Sequence, residues 1–180
     1  MRGEHMSTQV DFAELVERAR NMDDHVPEGW VQTDNLEVIP EIGTSLVVNF
    51  ASVERLSTQY GYPRIQIRAL DPETGLSFFD NLNWSDSDQG NQITLQTLVQ
   101  LGVPSSVVDA GLDAIVDHLM DSYHFATIHD HNQRDTRTFP RIYWNRPNND
   151  EDAGEVAELI AKAKAKFTTG EVESNSDMDW

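Results

Sequence analysis

The stretch Thr138-Phe139-Pro140-Arg141-Ile142-Tyr143-Trp144-Asn145-Arg146 leaves the chain few ways to fold. It is rich in aromatic and β-branched residues. Asp135-Thr136 bounds it on one side and Pro147-Asn148-Asn149-Asp150 on the other, which marks a β-strand. Side chains alternate along a strand, so Pro140, Ile142 and Trp144 fall on one face and Phe139, Arg141 and Tyr143 on the other. The first face suits a core. The second sets a guanidinium between two aromatic rings, which suits a chain of stacked bases joined by phosphates. The plainer alternative is an edge strand whose Arg is a solvated charge.

The rest of the chain supplies partners for that strand. Thr44 to Leu56 reads as a long strand with apolar residues on both sides, so it is buried on both faces or strongly bent. Gln59 to Pro63 is a turn. Arg64 to Leu70 alternates, with Ile65, Ile67 and Ala69 on one face and Arg64, Gln66 and Arg68 on the other. That is a half-buried strand with a basic outer face. Asp71-Pro72-Glu73-Thr74-Gly75 is a hairpin turn, and Leu76 to Trp84 is a third strand. After the polar loop Ser85 to Gly90, Ile93, Leu95, Leu98 and Val99 mark a helix that Gly102 ends. Pro104 opens a second helix with the apolar stripe Val107, Val108, Leu112, Ile115, Val116 and Leu119. Asp109, Asp113, Asp117 and Asp121 form an acidic stripe on another of its faces. Tyr123 to His129 is a fourth strand, and the polar connection Asp130 to Asp135 joins it to the fifth.

Three strands, a helical segment and a two-stranded hairpin make up the element order of an oligonucleotide-binding (OB) fold. This is a mainly β (β+α) architecture whose five strands close a Greek-key barrel, with the helical segment between strands 3 and 4. It takes up nucleic acid or sugar on strands 2–3 and on the 1–2 and 4–5 loops. Arg64 and Arg68 fall on the second strand, Tyr60 and Tyr62 in the first loop, and Arg134 and Arg137 in the fourth–fifth loop. Residues 1–6 read as an expression-vector remnant. Residues 7–43 form an N-terminal extension with a short helix over 11–22 and a short strand at Leu36 to Ile39. The barrel takes 44–149. Residues 150–170 form a C-terminal helix, acids first and lysines last as the helix dipole favours, stopped at Thr168-Thr169-Gly170. Residues 171–180 are an acidic tail, expected to be disordered, that ends in Trp180.

The net charge is -18. As a total it argues against nucleic acid, because phosphate contact needs Lys and Arg. Its distribution says more. Residues 44–149 hold 7 basic and 12 acidic side chains, and every base there is an Arg: Arg55, Arg64, Arg68, Arg134, Arg137, Arg141 and Arg146. Arg grips phosphate through a planar fork and stacks on rings better than Lys does. A DNA surface can therefore be local within an acidic protein. The alternative is that each Arg pairs with a neighbouring acid. With no Cys there is neither a disulfide nor a thiolate metal site, which fits a reducing cytoplasm. No apolar run is long enough to span a bilayer, and no secretory signal is expected.

With these motifs in place, the chain resembles phage-type single-stranded DNA-binding proteins (SSBs). The likeness rests on Phe79-Asp80-Asn81-Leu82-Asn83, Tyr123-His124-Phe125-Ala126-Thr127-Ile128 and Phe139-Pro140-Arg141-Ile142 within Thr44 to Asn145, and on the tip Asp177-Met178-Asp179-Trp180. The family's tip usually ends in Phe and often carries a Pro; this one ends in Trp and has none. The resemblance implies sequence-independent single-stranded DNA binding in phage DNA replication, recombination and repair, in the cytoplasm of a bacterial host cell. It also implies a tail, Asp177, Met178, Asp179 and Trp180, that recruits replication and recombination proteins, and a possible homo-oligomer. Candidate stacking residues are Tyr60, Tyr62, Trp84, Phe139 and Tyr143. Candidate partners for phosphates or base planes are Arg64, Arg68, Arg134, Arg137, Arg141 and Arg146. Phe139 and Tyr143 could instead pack against another subunit or the terminal helix. Trp84 could equally cap the barrel, and Trp30 and Trp144 are expected in the core.

Enzyme chemistry finds little support. His124, His129, Asp130 and His131 are the only cluster that hints at a metal, with His129 and His131 on one face of a strand and His124 on the other. Asp80, Asp86 and Asp88 hint weakly at a nuclease Mg²⁺ site. Gly-rich phosphate loops, nucleophile elbows and His-Glu-x-x-His helices are absent from the sequence. A non-catalytic protein without cofactor or metal is expected. Two other classes remain: an acidic DNA mimic that inhibits a host nucleic-acid enzyme, and a structural β-domain.

Overall fold

The computed structural model describes residues 11–20, 26–134, 136–146 and 153–178, with side chains in the last segment described for 154–167. The elements in chain order are α1 (Phe12–Arg20), β1 (Trp30–Gln32), β2 (Val38–Pro40), β3 (Ser45–Ser57), β4 (Pro63–Leu70), β5 (Ser77–Asn83), α2 (Asp88–Gln100), α3 (Ser105–Ala110), α4 (Leu112–Leu119), β6 (Tyr123–Arg134), β7 (Arg137–Trp144) and α5 (Ala153–Met178). The fold is mixed, with five antiparallel strands in the order β5-β4-β3-β6-β7 and a separate hairpin of β1 and β2.

Strand β3 organises the sheet. Its first part pairs with β6 (Ser45↔Thr127 to Asn49↔Tyr123) and its second with β4 (Asn49↔Leu70 to Ser57↔Pro63). The ladder to β4 slips between Phe50 and Ser52, leaving exposed Ala51 as an extra residue. Such a bulge bends a strand and increases its twist. It also explains the broken alternation in β3: the extra residue puts Val53 on the same buried face as Val48 and Phe50, although Phe50 and Val53 are three residues apart. The bend brings β5 and β7, the two outer strands, toward each other. The β1–β2 hairpin touches both of them. Trp30 and Ile39 are buried, so part of the segment expected as an N-terminal extension packs into the core. His131 Nε2 meets the Pro40 carbonyl at 2.7 Å, and Glu37 binds both Arg137 and the Thr138 amide.

The helices cover the core. Ser87 caps α2 by accepting from the Gly90 amide, so the helix starts inside the expected polar loop. Thr94 and Leu98 of α2 are buried, and Thr94 Oγ1 donates to the Asn83 carbonyl at 2.6 Å, fixing α2 to the end of β5. The second expected helix is two helices. Gly111, at φ 113°, breaks the chain between α3 and α4, a conformation L side chains rarely adopt. The apolar stripe continues across the break, which hides it from periodicity. Of the acidic stripe, Asp113 pairs with Arg55 at 3.2 Å, and Asp121 accepts from Asn49 Nδ2 at 3.0 Å.

Helix α5 seats Val156 against the sheet and runs past Thr168-Thr169-Gly170 to Met178. One interior Gly weakens a helix by about 1 kcal/mol without ending it. Met1 to Met6, the linker Asn148 to Asp152 and the terminal Asp179-Trp180 lie outside the described residues, as do the side chains of Asp177 and Met178. Among the described residues, no helix is long and apolar enough to cross a membrane.

Candidate nucleic-acid interface

Strand β7 carries the alternation read from its sequence. Pro140 and Trp144 are buried and Ile142 is half-buried, while Arg141 and Tyr143 are exposed. The outer residues of β7 face a groove of about 1370 Å³. Its walls are the β3–β4 loop, β5, one side of α2 and the β6–β7 hairpin, so it lies over the seam between β5 and β7.

Ten of the eleven candidate DNA-binding residues line this groove: Tyr60, Tyr62, Arg64, Trp84, Arg134, Arg137, Phe139, Arg141, Tyr143 and Arg146. Arg68 does not. It shares the outer face of β4 with Arg64, but its Nε donates to Ser77 Oγ at 3.1 Å, toward the other end of the strand. Tyr60 is 79 % exposed at the tip of the β3–β4 loop. Trp84 packs against the core and also lines the groove.

Groove electrostatics run opposite to those of the chain. Five arginines line the groove, against the carboxylates of Asp80 and Asp86. Among the described residues only Arg55 and Arg137, of the seven central arginines, form carboxylate ion pairs. Wholesale pairing with acids is therefore not what the arginines do. Among the described residues, Arg137 is the groove arginine with a carboxylate partner: it pairs with Glu37 at 3.1 Å, and its Cζ lies 5.1 Å from the Phe139 ring and 5.9 Å from that of Phe79. Arg146 sits 4.3 Å from the Tyr143 ring centroid. Asp80 is half-buried; desolvation of its carboxyl pushes the pKa up, while bonds from Trp144 and the Asn81 amide oppose the shift.

The β6–β7 hairpin differs from expectation in one respect that shapes the site. The polar connection Asp130 to Asp135 is mostly strand: β6 continues to Arg134, which pairs with Arg137. The ladder slips between Ile128 and Asp130, leaving His129 as a bulged extra residue. Cross-strand partners share a face, so Asp130 lies on the face of Arg141, Asn132 lies with Phe139 toward the groove, and His131 lies with buried Pro140 on the other side. His129 and His131 therefore do not share a face.

The three histidines go separate ways. His124 is buried and bonded to Ser122 and Asn145, and burial lowers its pKa to about 4, with His118 adding to the shift. His131 bonds to Pro40. His129 stacks on Tyr143 with ring centroids 3.8 Å apart and planes at 13°. Partial burial lowers its pKa, Arg141 and Arg146 lower it further, and Asp130 opposes them. Among the described residues no group of three His, Cys, Asp or Glu side chains gathers as a metal site.

The sequence reading missed His129, Phe79, Asn81 and the α2 side of the groove. The parity of β5 held the signal for Phe79 and Asn81, which share the face of Asn83, opposite buried Phe78 and Leu82. Nothing local marks His129, because a bulge is a property of two strands. Compared with known protein families and with curated proteins, the sequence matches none.

Proposed function

We propose that this chain binds single-stranded DNA in the groove over the β5–β7 seam, largely without regard to sequence, as a phage-type SSB with an OB barrel. One observation carries the reading: side chains from the β3–β4 loop, β4, the end of β5 and both strands of the late hairpin meet in one groove, rich in Arg and aromatic rings, on a chain of net charge -18. Backbone phosphates lie against Arg64, Arg134, Arg141 and Arg146, and bases stack on Tyr60, Tyr62 and the Tyr143–His129 pair, the combination that sequence-tolerant single-strand binding uses. The strand order supports the barrel. Counting β3 to β7 as one to five, β5-β4-β3-β6-β7 reads 3-2-1-4-5, and bringing strand three onto strand five completes an OB barrel. The tip ending in Trp180 recruits replication and recombination proteins, and the protein acts without catalysis, inside a bacterial host.

The test is titration of fluorescent oligo(dT) at two salt concentrations, with a duplex of equal length as control. Tight binding that weakens with salt and is poor for duplex is the expected result. No binding of oligo(dT) at low salt overturns the reading and turns attention to the acidic surface as a phosphate mimic.

A further inference from the structure

The groove also holds polar atoms with nothing to bond. Among the described residues, three buried side-chain atoms lack a hydrogen-bond partner: Arg64 Nε, Asn81 Oδ1 and Trp84 Nε1. All three residues line this groove. Their placement follows from the β4–β5 register. Arg64 pairs with Asn83 and Gln66 with Asn81, and the intervening Ile65 and Leu82 are buried. Arg64 and Asn81 are thus diagonal neighbours on the outer face, a spacing that long side chains span. Trp84 follows directly, tied to β4 by its amide bond to the Pro63 carbonyl at 3.2 Å. Tyr62 lines the same groove.

Buried polar groups are rarely left unpaired, so a set of three in one place points to a ligand that completes them. The set consists of two N–H donors and one carbonyl acceptor. The Watson–Crick edges of the bases differ in that count. Thymine, uracil and cytosine each present two acceptors and one donor. Guanine presents one acceptor and two donors, and adenine one of each. By that count a pyrimidine matches the three protein atoms, thymine where the acceptor lies between the two donors and cytosine where it lies at one end, whereas the Watson–Crick edge of a purine leaves at least one buried and unpaired, which is where hydrogen-bonding sites acquire selectivity. We infer that Arg64, Asn81 and Trp84 form a base-edge subsite that accepts a pyrimidine and disfavours a purine, within a groove that is otherwise tolerant of sequence. The inference rests on the single-stranded DNA reading of this groove.

Stacking and backbone flexibility can also favour pyrimidine strands, so the preference alone does not test the subsite. The experiment compares oligo(dT), oligo(dC), oligo(dA) and an oligo(dT) methylated at thymine N3, all of one length. The proteins are wild type, Asn81→Ala and Trp84→Phe; Trp84→Phe keeps a stacking ring and removes the N–H. The wild type is expected to bind oligo(dT) about tenfold more tightly than oligo(dA), and to lose a similar factor on N3 methylation. In Asn81→Ala the methylation effect disappears and the preference shrinks, while the salt dependence is unchanged. Trp84→Phe shrinks the preference as well. Binding in which both variants keep the wild-type preference, or in which N3 methylation costs the wild type nothing, overturns the subsite and leaves single-strand binding standing. No binding of any strand at low salt overturns both.

Discussion

The indole N–H of Trp144 donates to Asp80 at 2.9 Å, and this bond spans the seam between β7 and β5. Those strands stand at opposite ends of the five-stranded order. A side-chain bond from a fully buried Trp therefore ties the two edges directly beneath the groove.

Asp80 is held in a setting that disfavours its charge, so its folded pKa is raised. A raised carboxyl contributes stability that is fully present below the unfolded value and is lost as the pH rises through the folded value. Asp80→Asn keeps a neutral acceptor for Trp144 and removes that dependence. Urea denaturation of both proteins between pH 7 and pH 4 is expected to show their stability difference moving toward the wild type as the pH falls.

His124 predicts the opposite slope. Its folded pKa is about 4, below the ordinary 6.5, because the buried ring is disfavoured as a cation. Its contribution is full above 6.5 and is lost as the pH falls toward 4, a difference of about 3 kcal/mol on the unit-to-energy conversion. His124→Gln is expected to be less stable than wild type at pH 7, since it forgoes the ring's packing on Phe50 at 4.4 Å, and to lose less on acidification. Thermal melts across that range check both statements.

If the groove binds single strands, groove residues and their neighbours off the groove are expected to separate in binding. Tyr143→Ala is expected to weaken oligo(dT) binding by about 1–3 kcal/mol, the worth of one base stack. Arg141→Ala is expected to reduce the slope of log affinity against log salt by about one. Arg68→Ala, whose guanidinium is turned to Ser77, is expected to bind like wild type. A full loss with Arg68→Ala would move the site along the outer face of β4.

On the proposed reading, His129 is expected to make binding sensitive to pH. Its pKa is lowered, so the ring on Tyr143 is neutral at pH 7. A phosphate in the groove favours the imidazolium, so affinity rises as the pH falls below the ordinary His range. Affinities measured at pH 7.5 and pH 5.5 are expected to differ more in wild type than in His129→Gln.

Much of this was legible because local patterns bury local faces. The parity of Arg64 to Leu70 and of Phe139 to Trp144 assigned the inner and outer residues of β4 and β7 correctly, and Trp30 and Trp144 lie in the core as their apolar bulk implied. What escaped depends on distant partners. Arg137 is engaged by Glu37, a hundred residues away, which composition cannot show. The break at Gly111 lies inside an unbroken apolar stripe, and Gly170 resembles a helix stop but lies within α5.

The bulge at His129 sets the phase of everything beyond it. A regular ladder that kept this residue would rotate Asn132 and Arg134 to the opposite side and swing His131 outward, stripping the hairpin tip of its share of the groove. Removing the residue outright does the reverse: Ile128 and Asp130 become consecutive rungs, and every later pair keeps its orientation. His129 is thus an insertion that the register of the ladder does not need, placed at the groove. Deleting it, rather than replacing it, is the change that alters the groove while leaving the register of the sheet intact.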